Sequence, residues 1–193
     1  MNPTFDGETA ETWLRGLNGM SDHNAKHILS TFAYFGLPKS MLDVGCGDGT
    51  MVKLARLLGV EAYGIDQLVQ PDWPPYYYYR NLVDAFRLDH PVEMVLCLEV
   101  AEHIHETAHS TFMDTIVENM VPGIGARLIF SAAHPGQDGT GHVAMRPAKY
   151  WREEFTNRGL THNRMDTINL ALLWSHIQSP LGHLAANLQV FHK

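Results

Sequence analysis

Leu42-Asp43-Val44-Gly45-Cys46-Gly47-Asp48-Gly49-Thr50 is the stretch on which the fold turns. It joins a short apolar run, Ser40 to Val44, to an amphipathic segment from Met51 to Leu58, and so reads as strand, glycine-rich turn and helix. In an open α/β sheet such a junction is a ligand site, because the turn brings backbone close to the ligand and the new helix directs its amides at it. Two nucleotide-binding patterns fit it poorly. A dinucleotide fingerprint wants its third glycine at position 50, which is Thr50. A phosphate-binding loop wants Gly-Lys-Ser/Thr, and Gly49 is followed by Thr50 and Met51.

Outward from the junction, strands and helices alternate. Residues 8–36 carry apolar side chains at helical spacing, Leu14, Leu17 and Met20 and then Ala25, Ile28, Leu29, Phe32, Ala33 and Phe35, with Ser21 and Asp22 as caps for the second piece and Pro38 as the stop. Val60 to Asp66 is a second strand, Tyr78 to Asn81 a weaker third, and Val92 to Leu98, after Pro91, the central one. A helix over 107–120 leads through Gly123 and Gly125 to the strand Ala126 to Ser131. His134 to Arg146 is a glycine-rich loop, Pro147 to Arg158 a helix with Pro in its first turn, and Leu184 to Phe191 a closing strand paired antiparallel. This order predicts a parallel sheet covered by helices on both faces. Neither an internal repeat nor a linker interrupts it.

The composition bounds the function. At 193 residues the chain has room for about one domain, read as an N-terminal helical segment over 1–37 and an α/β core over 38–193. With 45 % hydrophobic residues it can bury a core, which excludes a disordered or fibrous chain. Fourteen Lys and Arg against 21 Asp and Glu give a net charge of −7 without a basic cluster, so nucleic acid is a disfavoured partner. Cys46 and Cys97 form no Cys-x-x-Cys pair, and their scarcity suits a reducing cytoplasm. The N-terminus lacks the pattern of a secretory signal, and no run is long and apolar enough to span a bilayer.

The pattern Asp-x-Gly-x-Gly-x-Gly over Asp43 to Gly49 resembles the first motif of class I S-adenosylmethionine (AdoMet) methyltransferases. Asp66, 21 residues after Gly45 at the end of the second strand, reinforces the resemblance, because a carboxylate there can accept both ribose hydroxyls. The run Val95 to His103 is similar to the family's fourth motif, where the central strand delivers side chains beside the reactive methyl. The likeness spans about residues 40–135. It implies a Rossmann-like, doubly wound, mostly parallel sheet with an antiparallel closing strand. It also implies that Asp43, Gly45, Cys46, Gly47, Asp48 and Gly49 cradle the methionine part of AdoMet and that Asp66 holds the ribose. Gln67 and Leu68 would lie along the adenine, Asn81 and Leu82 at its edge, and Leu98 at the end of the central strand. Where Asn81 stands the family more often has Asp.

At helical spacing i, i+3 and i+4, Glu99, Glu102 and His103 share one face beside the methyl donor. Two carboxylates and an imidazole can bind a divalent ion, Mg or Mn, with a further ligand from His142 or His134. Glu-x-x-Glu-His here resembles the metal-binding segment of some ubiquinone-pathway O-methyltransferases and of small-RNA 2′-O-methyltransferases; many other class I enzymes carry it without metal. Without an ion, Glu99 or His103 can act as general base, an effect of ~10²–10⁴ in rate. His134, Gln137 and His142, in the loop after the last parallel strand, are the side chains expected near the acceptor. Tyr150 and Trp151 read as core.

Trp73-Pro74-Pro75-Tyr76 resembles the Pro-Pro-Tyr element of DNA amino-methyltransferases but precedes the central strand instead of following it. It reads as a surface loop beside the adenine pocket, with Tyr76 to Tyr79 alternately buried and exposed. The favoured activity is methylation of a small-molecule hydroxyl. The alternatives are an RNA 2′-O-methyltransferase and a non-catalytic protein that binds AdoMet or S-adenosylhomocysteine (AdoHcy). Oligomeric state has no sequence signal.

Overall fold

A computed structural model describes residues 21–123, 125–177 and 182–193, without the side chains of residues 21–25 and 182. The first part of the expected 8–36 helix, with Leu14, Leu17 and Met20, lies outside the described residues, as do the capping side chains of Ser21 and Asp22 and the side chain of Ala25. Helix α1, Ser21–Phe35, buries His27, Ile28, Thr31 and Phe32 as one stripe, while Leu29, expected in the core, is 43 % exposed. Gly36, with φ 82°, ends it by donating to the Phe32 carbonyl at 2.8 Å, two residues before Pro38.

Strand β1, Ser40–Val44, and helix α2, Thr50–Leu57, flank the glycine loop as expected, and β2, Glu61–Asp66, follows. Strand β3 is Tyr77–Tyr79, and β4 is Met94–Leu98. Two 3₁₀ turns, Ala101–His103 and Glu106–Ala108, precede helix α3, His109–Glu118, so the regular helix starts later than expected. Strand β5 is Arg127–Ser131, and helix α4 is Ala148–Asn157 with Pro147 extended at its N-cap, outside the first turn. Two elements had no sequence expectation, the two-residue strand β6, Thr161–His162, and helix α5, Arg164–Ser175.

The closing segment corrects the reading of Leu184 to Phe191 as one strand. Gly182–Asn187 is a short helix, α6, and only β7, Gln189–His192, is extended. Leu184 and Leu188 meet the core at the i, i+4 spacing of a helix, which overrides the strand reading for that half.

Among the described residues the sheet has seven strands in the order β3-β2-β1-β4-β5-β7-β6. β1 pairs in parallel with β2 and β4, as do β2 with β3 and β4 with β5, whereas β7 runs antiparallel to both β5 and β6. The strands carry near-continuous buried runs because helices cover both faces. One face packs Leu42, Val44, Val95 and Leu128 against Phe112, Ile116, Trp151 and Phe155; the other packs Met41, Met94, Leu96 and Val190 against Ile28, Phe32, Leu170 and Trp174. Trp151 is thus core, as read from sequence. Where β6 stops, Val190 of β7 donates its N–H to Thr167 Oγ1 at 2.9 Å and accepts from the Asn163 N–H at 2.8 Å. The strand order reverses between β1 and β4, so the ligand crevice opens at the carboxyl ends of these two strands.

Candidate active site

The glycine loop is built by close approach. Gly45, with φ 78°, donates to the Ile65 carbonyl at 2.8 Å, and a Cβ added to it would collide with the Val100 side chain beyond β4. Both demands select glycine. Gly49 donates to the Cys46 carbonyl at 2.8 Å and its own carbonyl accepts from the Tyr77 hydroxyl at 2.9 Å, while Asp48 Oδ1 accepts from the Thr50 N–H at 2.9 Å at the start of α2. β3 therefore braces the loop from behind. Trp73 and Tyr76 continue the brace along α2, with Arg56 4.0 Å over the Tyr76 ring and Lys53 5.5 Å over Trp73. The four tyrosines do not simply alternate. Tyr77 is buried, Tyr76 and Tyr78 are half-buried and Tyr79 is exposed, because Tyr78 also packs on Phe86 across the other face.

Asp66, at the end of β2, accepts from the Gly47 N–H through Oδ2 and from the Leu68 N–H through Oδ1, both at 2.9 Å. Burial pushes its pKa up and the amides of Gly47, Leu68 and Gln67 oppose the shift, so the carboxylate is fixed in place and can still accept further hydrogen bonds. Asp43 at the end of β1 is pushed up to about 8, first by burial and then by the charges of Asp66 and Asp48. Three carboxylates thus converge on this loop, where Lys53 Nζ donates to the Asp48 backbone carbonyl at 3.2 Å. Burial and the neighbouring Asp43 push the Cys46 thiol up, which makes it a neutral packing group of the loop. Of the residues expected around adenine, Leu68 is buried and Leu82 half-buried against the core, Gln67 is exposed, and Asn81 is spent on a turn in which its Oδ1 meets the Val83 N–H at 3.3 Å.

Beyond β4 the chain departs from the helical face expected for Glu99, Glu102 and His103. Glu99 takes φ 53°, and the turn that follows is 3₁₀ and only three residues long. Glu99 therefore leaves the shared face, although its carboxylate still lies beside that of Glu102. Glu102 is fully buried, and neither of its carboxylate oxygens has a hydrogen-bond partner among the described residues. Its pKa is pushed up to about 8, first by burial and then by the Glu99 charge, against the amides of Glu102 and Ala133, which face it without closing a hydrogen bond of normal geometry.

The loop after β5 folds over this carboxylate. Its Val143 and Ala144 N–H groups donate to the Glu102 carbonyl at 2.9 and 3.0 Å, and His142 Nε2 comes to 3.9 Å from Glu102 Oε1. His103 Nδ1 donates to the Gly141 carbonyl and His142 Nδ1 to the Gln137 carbonyl, each at 3.0 Å. A carbonyl can only accept, so in each neutral ring the lone pair is directed to Nε2, the arrangement that metal-binding imidazoles adopt. Burial lowers the His103 pKa and favours its neutral form. One ligand atom from each of Glu102, His103 and His142 lies within 4.8 Å of the others, which can hold a divalent ion.

Glu99, expected as a further ligand and base, is outside that set. Its carboxylate is held by Asn187 Nδ2, 3.2 Å from each oxygen, and His183 Nε2 lies 3.8 Å from Oε2. His134 is also outside the set, its N–H donating to Gln137 Oε1 at 2.5 Å in a turn. Sequence reasoning missed Asn187 and His183, and no local signal marks them, because only the return of the chain on α6 brings them to β4.

The family model described as methyltransferase domain matches residues 18–189. Among solved structures, the chain is similar to the 1,6-didemethyltoxoflavin-N1-methyltransferase of Burkholderia thailandensis, with bound 1,6-didemethyltoxoflavin and AdoHcy, at 15 % identity and TM-score 0.59, covering 96 % of this chain and 89 % of that one. The magnesium protoporphyrin IX methyltransferase of Synechocystis, with bound AdoHcy, matches at 19 % identity and TM-score 0.62, covering 84 % and 89 %. The sugar N-methyltransferase of a Streptoalloteichus species matches at 12 % identity and TM-score 0.65, covering 100 % and 94 %. At such identities the likeness is one of fold. No curated protein matches the chain.

Proposed function

The chain belongs to the methyltransferase-domain family, and on that premise we propose that it moves the methyl group of AdoMet to a hydroxyl of a small-molecule acceptor, assisted by a divalent cation. AdoMet suits the loop on physical grounds: its sulfonium and ammonium supply the positive charge that Asp43, Asp48 and Asp66 lack, and the acceptor positions left on Asp66 suit ribose hydroxyls. When bound, AdoMet supplies an already activated methyl, and the cation supplies positive charge that polarises an acceptor hydroxyl. The chain's own work is then alignment and exclusion of water.

The observation that carries the cation and hydroxyl reading is the buried Glu102 carboxylate without a hydrogen-bond partner among the described residues, facing two imidazoles whose tautomers are set by backbone carbonyls. A buried ionised carboxylate in that state is costly unless a cation joins it. His103 and His142, neutral, would share the ion with Glu102, and in its absence either can take a proton from the acceptor. With a net charge of −7, the acceptor is read as a small molecule and not RNA. Cys46 and Cys97 are free and buried, which suits a reducing cytoplasm. Among the described residues no helix is long and apolar enough to cross a membrane.

Calorimetric titration with AdoMet and AdoHcy, repeated with EDTA and with added Mg²⁺ or Mn²⁺, tests both parts. Binding of both nucleosides together with a separate Mn²⁺ signal that EDTA removes supports the reading. Absence of nucleoside binding in every condition overturns it, and nucleoside binding without any metal signal removes the cation.

A further inference from the structure

We propose that α6 belongs to the acceptor side of the active site. Asn187 is a positioning residue that holds the Glu99 carboxylate, and His183 and Glu99 together form a two-point cradle for the hydrogen-bearing nucleophile of the acceptor. The inference rests on the AdoMet reading above and deepens it.

Glu99 is the one non-glycine residue with positive φ among the described residues, a strained conformation that persists only where its surroundings impose it. Two sets of contacts impose it here. Its N–H donates to Ser131, 3.0 Å from the carbonyl and 3.2 Å from Oγ, and its carboxylate is held from the far side by Asn187. Asn187 is 2 % exposed, and its Oδ1 has no hydrogen-bond partner among the described residues. A buried amide with its donor committed to Glu99 and its acceptor unused is a costly arrangement for packing alone.

The gap between Glu99 and His183 has a usable size. His183 Nε2 and Glu99 Oε2 are 3.8 Å apart, too far for a direct hydrogen bond. A single oxygen or nitrogen about 2.8 Å from each would bridge them. With side-chain exposures of 19 % for Glu99 and 41 % for His183, the pair is open to an incoming group, whereas Asn187 closes the other side. An ionised carboxylate can only accept, so with Glu99 the cradle takes a hydroxyl or an amine and repels a carboxylate acceptor.

Sinefungin, the AdoMet analogue with an amino group in place of the transferred methyl, places a hydrogen-bond donor at the methyl position, directly facing the place where the acceptor's nucleophile would stand. The test compares its affinity with that of AdoHcy by calorimetry, for the wild type and for Glu99→Gln, Asn187→Ala and His183→Ala. The wild type is expected to prefer sinefungin by about tenfold, and each variant to lose most of that preference while its AdoHcy affinity stays within about twofold of wild type. A general loss of structure would lower both affinities together, so the ratio isolates the cradle. His183→Ala changes a half-exposed side chain and carries the test should the buried Asn187→Ala fail to fold. A wild type without the preference, or variants that retain it in full, would overturn the proposal. If the wild type binds neither compound, the AdoMet reading falls and this inference falls with it.

Discussion

Two carboxylates stand at the same edge of the sheet in opposite states. Asp66 gives each oxygen to a backbone amide of its own neighbourhood, Gly47 or Leu68. Glu102, more deeply buried, has no such donor among the described residues and is grouped with His103 of its own turn and with His142, which the loop after β5 delivers. The first arrangement is complete before any ligand arrives and reads as a rigid receptor. The second leaves both oxygens without a hydrogen-bond partner while burial favours the neutral carboxyl, and its geometry rests on a long loop. A methyl donor shared by many reactions suits the former, and a particular acceptor suits the latter.

Substitutions can pull the halves apart. The largest effect is expected from Gly45→Ala, which forces a left-handed φ on alanine and drives a Cβ into Val100. Strain and overpacking together should cost about 3 kcal/mol, so AdoHcy affinity measured by calorimetry falls more than a hundredfold while Mn²⁺ binding persists. Next comes Glu102→Gln, expected to weaken Mn²⁺ binding about a hundredfold with AdoHcy affinity intact. A parallel loss of both would show that the two halves are one unit. Gly139→Ala is subtler: its Cβ would collide with the His142 ring, which can swing only by giving up the Gln137 carbonyl. A loss of about tenfold in Mn²⁺ affinity, without change in AdoHcy affinity, is the outcome that sharpens the comparison.

The last expected effect is on stability against pH and leaves ligand affinity aside. Asp43 titrates near 8 in the folded chain against 3.8 as the reference value, so between these pH values the native state keeps a proton that the unfolded chain has released. The stability this group contributes is fully present below about pH 4 and is lost as pH rises through 8. Thermal melting of the ligand-free protein should therefore fall across that window, and Asp43→Asn should flatten the fall. An equal slope in the variant would assign the dependence to other groups.

The geometry of the proposed cofactor half was legible because it is local. Asp43 to Gly49 is one uninterrupted turn, and Asp66 follows at the distance that one helix and one strand require. The acceptor half was legible only as residue types. The spacing of Glu99, Glu102 and His103 suggests a shared helical face, but a left-handed residue followed by a 3₁₀ turn leaves Glu99 beside Glu102 and turned to Asn187, outside the set that Glu102 and His103 form with His142. His142 was anticipated, since the loop after β5 must lie at the ligand edge. Asn187 and His183 depend on a tertiary return that no periodicity records.

Helix α5 escaped for a different reason. Its apolar residues run around most of its circumference, leaving Met165, Ile168 and Leu172 exposed, so no single stripe stands out. The signal that was present is its cap: Asn163 Oδ1 accepts from the Asp166 N–H at 3.0 Å, an Asn three residues before an acid.

The borders of the sheet bear on how the molecule behaves in a crowd. β3 offers a stranger only three residues and β6 only two, and where β6 ends, Thr167 and Asn163 already occupy the outward backbone groups of Val190. An extended segment from another molecule finds no long row of vacant amides to zip onto. Among the described residues, strand addition is thereby blunted at both flanks, and Pro74 and Pro75 ahead of β3 shorten that edge further.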